Sequence, residues 1–363
     1  MKDYRIQSLI QSMTDNQLDN LLISDPASIY YYTGYRNQPG ERLYLLNISS
    51  AGQVQLYLNR LFPQPQDLQS EIEVIWYSDG EPILAKLDEQ LTGLKIGIDK
   101  YWPSHFLLEL LALNPELHPV NGSVLVDQQR AIKSLDEQEL MAKASELNDQ
   151  AMEAIIHQVQ YGFSELTMVN KLREIYQDLN MDGFSFEPII AYGGNGADPH
   201  HETNQDQPEI GDAVVIDIGA FYQGYASDMT RTVFYGQPSQ EHLEIYDIVR
   251  RANEAAIAQI RPGVSFADID LTARNLIDQA GYGDYFTHRL GHFIGQETHE
   301  AGDVSQYNHD LIKAGQIFSV EPGIYLPDEI GVRIEDLILV TEDGCQILNH
   351  VTKEPIIIQP KAE

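Results

Sequence analysis

Five residues in the C-terminal half of this chain combine types and surroundings suited to metal chemistry: Asp217, Asp228, His292, Glu321 and Glu335. Asp217 lies in AVVIDIGA and Asp228 eleven positions later in GYASDMTRTV; His292 follows in HRLGHFIG, Glu321 in FSVEPGIYLP and Glu335 in GVRIEDLILV. Taken singly, an Asp in a strand is ordinarily a turn residue or a salt-bridge partner. As a set they differ: Asp217, Glu321 and Glu335 each stand among β-branched and aliphatic residues, where carboxylates are seldom buried without a partner. Four carboxylates gathered around one imidazole repel one another unless cations neutralise them, and four negative charges match two divalent ions. The expectation is a two-metal hydrolytic centre. Oxygen-rich ligands with one imidazole and no thiolate favour Mn, Co, Fe or Zn over a structural zinc site. Two such ions about 3.5–4 Å apart can lower the pKa of a bridging water toward neutrality and polarise a scissile carbonyl.

The flanks carry a resemblance. GYGDYFTHRLGHFIG, VEPGIYLP and GVRIEDLILVTEDG resemble signatures of the pita-bread metallopeptidases, which include methionine aminopeptidase, aminopeptidase P and prolidase. The dipeptidase branch is the nearest in pattern, and SIYYYTGYRNQPGERL is similar to its N-terminal domain, so the resemblance covers essentially the whole chain. It implies Asp228 and Glu335 as bridging ligands, Asp217 as a ligand to one metal, and His292 with Glu321 as ligands to the other. Glu321 is also implied as general base, taking a proton from water and passing it to the leaving nitrogen. Manganese is the foremost metal on this reading.

Further candidates surround the five. His200, in NGADPHHETN, resembles the family histidine that contacts the substrate carbonyl, and His299 the one that stabilises the tetrahedral intermediate. His288, four residues before His292, also recurs in the family and is either a substrate contact or a hydrogen-bonded structural residue. His201, His242 and His309 read as ordinary hydrogen-bonded histidines. A dipeptide carries a free carboxylate and needs a cation; Arg289 and Arg333 both qualify for bidentate recognition. Equally, either arginine could pair with the metal carboxylates instead. Several prolidases carry Arg four residues after the position of His299, where this chain has Asp303; Phe293 replaces a common glycine.

The elements that must position these groups follow from periodicity. With 363 residues, two domains are expected, at 1–125 and 126–363. The first alternates short strands and helices, as an α/β creatinase-like domain: NLLIS, a helix opened by Asp25-Pro26, a hairpin of RLYLLNI and VQLYLN, then EVIWYS, a helix over 82–91 and KIGID. TGYRNQPGERL reads as a long loop. The second opens with an amphipathic helix from a Ser134 cap to Gln160, stopped by Gly162, and a further helix after Ser164. Strands PIIAY, AVVIDIGAF and TRTVFYG come next, then helices over 239–260 and 265–280, with strands resuming from Ile317. The class is α+β, a pita-bread fold with helices on one face of a curved antiparallel sheet.

The balance of 55 acids against 23 Lys and Arg gives a formal charge of −32, which argues against nucleic acid or an anionic membrane as partner. The single cysteine, Cys345, excludes an intrachain disulfide and suits a reducing compartment. No long apolar h-region follows the N-terminus and no run of 18 apolar residues occurs, so a cytoplasmic protein is expected. The resemblance implies a homodimer acting on small peptides, with Xaa-Pro dipeptides first. Aminopeptidase P activity on longer peptides is the runner-up. A non-catalytic binding module or a metal-free hydrolase on the same fold is disfavoured by the presence of all five ligands.

Overall fold

The computed structural model describes residues 2–66 and 68–361. It divides into two compact units, one ending at Arg130 and the other beginning at Ala131. The first holds α1 (Lys2–Asp15), β1 (Asn20–Ile23), α2 (Pro26–Thr33), β2 (Leu45–Ser49), β3 (Val54–Asn59), β4 (Ile72–Tyr77), α3 (Ile83–Asp88), β5 (Lys95–Ile98), α4 (Ser104–Leu113), β6 (His118–Asn121) and α5 (Ser123–Ala131). Helix α5 runs through the position at which periodicity suggests a boundary. A single mixed sheet in the order β4-β3-β2-β1-β5-β6 organises this unit, with β1, β2 and β3 antiparallel to their neighbours in the hairpin. Asp25 caps α2 by accepting from Ala27 and Ser28 N–H, with Pro26 at the first helical position.

The second unit opens with α6 (Leu135–Gln158) and α7 (Glu165–Asp178), then β7 (Ile189–Tyr192), β8 (Ala213–Ile218), β9 (Phe221–Tyr222), β10 (Tyr225–Ala226) and β11 (Met229–Tyr235). Helices α8 (Gln240–Ile257) and α9 (Phe266–Gln279) follow. The remainder is strand: β12 (Gly291–Phe293), β13 (Glu300–Val304), β14 (Ile317–Val320), β15 (Gly323–Leu326), β16 (Ile330–Arg333), β17 (Asp336–Val340), β18 (Cys345–Ile347) and β19 (Ile357–Ile358). A capping box at Ser134 and Glu137 starts α6, and Gly162, at φ 62°, ends its last turn.

Two helix pairs each cover their own sheet. Met152, Ile155, Met168 and Leu172 of α6 and α7 pack on Ile190, Val214, Ile216 and Val233 of the β19-β11-β8-β7 sheet. Val249, Ala252, Phe266 and Ile269 of α8 and α9 pack on Phe293, Phe318, Val320 and Ile338, which belong to the β13-β12-β14-β17-β18 sheet. The fold is therefore α+β, as the pattern suggests. Strands return at Gly291 rather than Ile317: β12 is three residues long, begins with a glycine and is centred on a histidine, so it carries no apolar alternation to read. Among the described residues no helix is long and apolar enough to cross a membrane.

Candidate metal centre

Strand register brings the five residues together. In the β8–β11 pair Asp217 lies directly opposite Thr230. Asp228 precedes Thr230 by two positions, so both point to one face of the sheet. Glu335 N–H donates to the Thr230 carbonyl, and Thr230 Oγ1 donates to Glu335 Oε2 at 2.8 Å, which fixes the third acid beside the first two. Arg333 and Glu335 share that side, while Ile334 between them turns into the core with α8 and α9.

Glu321 and His292 arrive from the other sheet. Glu321 N–H donates to the Leu290 carbonyl, and His292 N–H donates to Ser319 Oγ at 3.0 Å. A bulge between His292 and Phe293 sets the aim of the imidazole. Gly291 makes the approach possible, because a Cβ there would stand 1.9 Å from the Ser319 carbonyl oxygen. As a result His292 Nε2 lies 3.5 Å from both Asp228 Oδ2 and Glu321 Oε1. Ligand atoms of Asp228, His292 and Glu335 all fall within 4.8 Å of one another.

The electrostatics would suit a bound cation. Burial, then the charges of Glu335, Asp217 and Glu321, pushes Asp228 well above the usual carboxylate range. Burial, then Glu321 and Asp217, does the same to Glu335. Burial brings Glu321 up to about 7 against the pull of Arg333. His292 is pushed down to about 3 by burial and by His299, leaving a neutral imidazole able to donate a lone pair. Among the described residues Asp217 Oδ1 is buried with no hydrogen-bond partner, while Oδ2 accepts from Arg333 Nη2 at 2.7 Å. An orphaned carboxylate oxygen beside three clustered ligands and Glu321 fits a divalent cation with oxygen and imidazole donors.

All ten expected site residues line one cavity of about 720 Å³: the five above with His200, His288, Arg289, His299 and Arg333. The His299 and His292 rings meet edge to face at 4.2 Å. His200 is exposed on the loop after β7, whereas its neighbour His201 is tied to Glu165 at 2.7 Å. The two arginines differ. Buried Arg333 donates to Thr230 Oγ1 (3.1 Å), Tyr325 Oη (3.0 Å) and Asp217. Arg289 is exposed and makes no side-chain hydrogen bond or ion pair among the described residues. Since Arg333 occupies the Tyr325 oxygen as donor, the phenol donates to His288 Nε2 at 2.8 Å, and His288 Nδ1 donates to the Arg289 carbonyl at 2.7 Å. Burial, with Arg333 nearby, holds His288 down at about 4, in keeping with that neutral tautomer.

Thr230, Ser319 and Tyr325, which hydrogen-bond Glu335, His292 and Arg333 without lining the cavity, are supporting residues that sequence reasoning missed. Thr230 carried a usable signal, its position two after Asp228 on a strand; Tyr325 and Ser319 act through contacts across strands. The apolar wall of Leu166, Val169, Phe186, Pro188 and Ile189 likewise comes from separate elements.

Comparison with known proteins shows the family. Residues 139–342 match the model of metallopeptidase family M24, and residues 5–132 that of the creatinase/prolidase N-terminal domain. An uncharacterized peptidase of Staphylococcus aureus is 35% identical over 356 residues, covering 96% of this chain and 99% of its own. A dipeptidase from Pyrococcus horikoshii superposes with a TM-score of 0.91 at 34% identity, covering 97% of this chain and 99% of its own. A prolidase from Thermococcus sibiricus gives 0.91 at 32%, covering 98% and 99%.

Proposed function

The chain belongs to metallopeptidase family M24, and from that premise we propose that it hydrolyses Xaa-Pro dipeptides using two divalent cations held by Asp217, Asp228, His292, Glu321 and Glu335. The observation that carries this reading is the convergence of four largely buried carboxylates and one neutral imidazole in the cavity, with an unpartnered Asp217 oxygen among them. Manganese is the first choice of metal, with cobalt, iron and zinc compatible with the donors. When bound, such cations supply Lewis-acid activation of water and of the scissile carbonyl.

The protein's own groups do the rest. Glu321, oriented by the Ser319 hydroxyl at 3.2 Å, accepts the proton of the attacking water and delivers it to the prolyl nitrogen as the C–N bond breaks. His200 and His299 donate hydrogen bonds to the carbonyl oxygen as negative charge develops there. Arg333 holds Asp217 and Tyr325, so its donors are committed to the site itself. Exposed Arg289 then remains to bind the substrate carboxylate. The apolar wall from Leu166 to Ile189 suits an aliphatic residue or the proline ring.

Length selectivity tests the substrate assignment. Converting the carboxylate of Leu-Pro to an amide removes the charged partner of Arg289, and because that arginine is exposed the loss is expected to be modest, roughly up to fivefold in rate. Leu-Pro is expected to be cleaved several-fold faster than Leu-Pro-amide or Leu-Pro-Gly, and Arg289→Ala to raise KM for Leu-Pro while narrowing the gap. Equal efficiency on dipeptide and tripeptide would replace this reading with an aminopeptidase acting on longer X-Pro peptides.

A further inference from the structure

Outside the metal ligands, one buried acid organises the loop that presents His200. Glu165 is the first residue of α7, and its side chain is wholly buried. Its carboxylate accepts four hydrogen bonds, one from the end of β7 and three from the loop that follows it. Oε1 accepts from Tyr192 N–H and Asn195 Nδ2, both at 3.0 Å. Oε2 accepts from His201 Nε2 at 2.7 Å and from Asn204 N–H at 2.9 Å. A carboxylate only accepts, so His201 donates through Nε2 and its ring is held in that orientation. Four donors compensate the burial of the charge, and the N-terminal end of α7 adds a favourable dipole.

The remaining contacts make the loop a closed frame. Glu165 and Leu166 N–H donate to the Asp206 and Asn204 carbonyls, binding the returning limb to the helix. The outgoing limb sits against β16, where Gly196 and Gly331 approach so closely that a Cβ on Gly331 would stand 1.6 Å from the Gly196 oxygen. Between these anchors the Asp198 side chain accepts from His200 N–H at 2.9 Å, leaving the His200 imidazole as the part that lines the cavity.

We infer that Glu165 is a positioning residue for His200: it fixes the loop on both sides of the histidine, with His201 as the inward anchor of the pair. This rests on the functional reading of His200 above. Glu165 itself is too deeply buried to touch substrate, so its effect on rate runs through the loop.

The test is a double-mutant cycle on the cation-loaded enzyme with Leu-Pro, read as kcat and KM, with metal content and melting temperature as controls. Glu165→Gln keeps the shape but offers one accepting oxygen where the loop presents donors to two. It is expected to lower kcat about tenfold, with KM and metal content unchanged, and to lower it by less than about threefold in a His200→Ala background. Asn195→Ala, which removes a single anchor and leaves the carboxylate in place, provides the same comparison if Glu165→Gln does not fold. Equal losses with and without His200, or no loss in the wild-type background, would overturn the inference while leaving the hydrolase reading intact. An unchanged kcat in His200→Ala alone would overturn the assigned role of His200 and the inference with it.

Discussion

Asp228 and Glu335 face each other from segments joined by the Glu335 N–H to Thr230 carbonyl bond, and burial raises the cost of charging either one. Replacing either by its amide keeps the shape and removes a charge the cations require. Asp228→Asn and Glu335→Gln are expected to lose at least one metal per chain and to drop turnover by about a hundredfold or more, whereas His299→Ala should keep both metals and lose rate. Elemental analysis decides between these, since equal metal loss in His299→Ala and Asp228→Asn would contradict the assignment. Glu321 gives a pH signature in the cation-free protein. Its folded pKa of about 7 stands above the ordinary 4.5, so across that window the native state keeps a proton the unfolded chain has released. Stability therefore falls as pH rises through the window, and raised Asp228 and Glu335 act in the same direction. Melting curves of chelated protein should shift downward from pH ~5 to ~7, less steeply in Glu321→Gln. An identical slope in both proteins would contradict the Glu321 shift.

At the scale of elements, the site depends on close approaches that short side chains permit. Gly331→Ala would drive a methyl into the Gly196 carbonyl, forcing β16 away from the loop that bears His200. A loss of roughly 1–3 kcal/mol in stability is expected, the usual cost of overpacking, together with a lower kcat at full metal occupancy. Unaltered melting and turnover would show that the contact is not needed. Such features explain what the sequence could and could not disclose. Asp217, Glu321 and Glu335 stood out because charged residues interrupt apolar strand patterns, and the Ser134 and Asp25 caps because their chemistry is local. Strand β12 was hidden because three residues around a histidine make no pattern. Tyr325 and Glu165 were hidden because common residue types acquire their roles only through partners far along the chain, as with Tyr325 and His288. Nor could sequence choose between Arg289 and Arg333; burial and three committed hydrogen bonds distinguish Arg333.

Across the whole molecule, a formal charge of −32 disfavours anionic partners and adds a general attraction for divalent cations, but only the buried cluster turns that attraction into a site. Cations that bind the native state alone stabilise it by about 2.7 kcal/mol at a hundredfold excess over their dissociation constant. On the proposed reading, dipeptide hydrolysis depends on cations held by the five clustered residues. The most direct test of that reading is to strip the protein with a chelator, return manganese stepwise, and record bound metal and Leu-Pro turnover on the same samples. Negligible turnover is expected in the stripped protein, with recovery that tracks occupancy up to two ions per chain and is abolished in Asp228→Asn. Full turnover by the stripped protein, or recovery unaffected by Asp228→Asn, would contradict it.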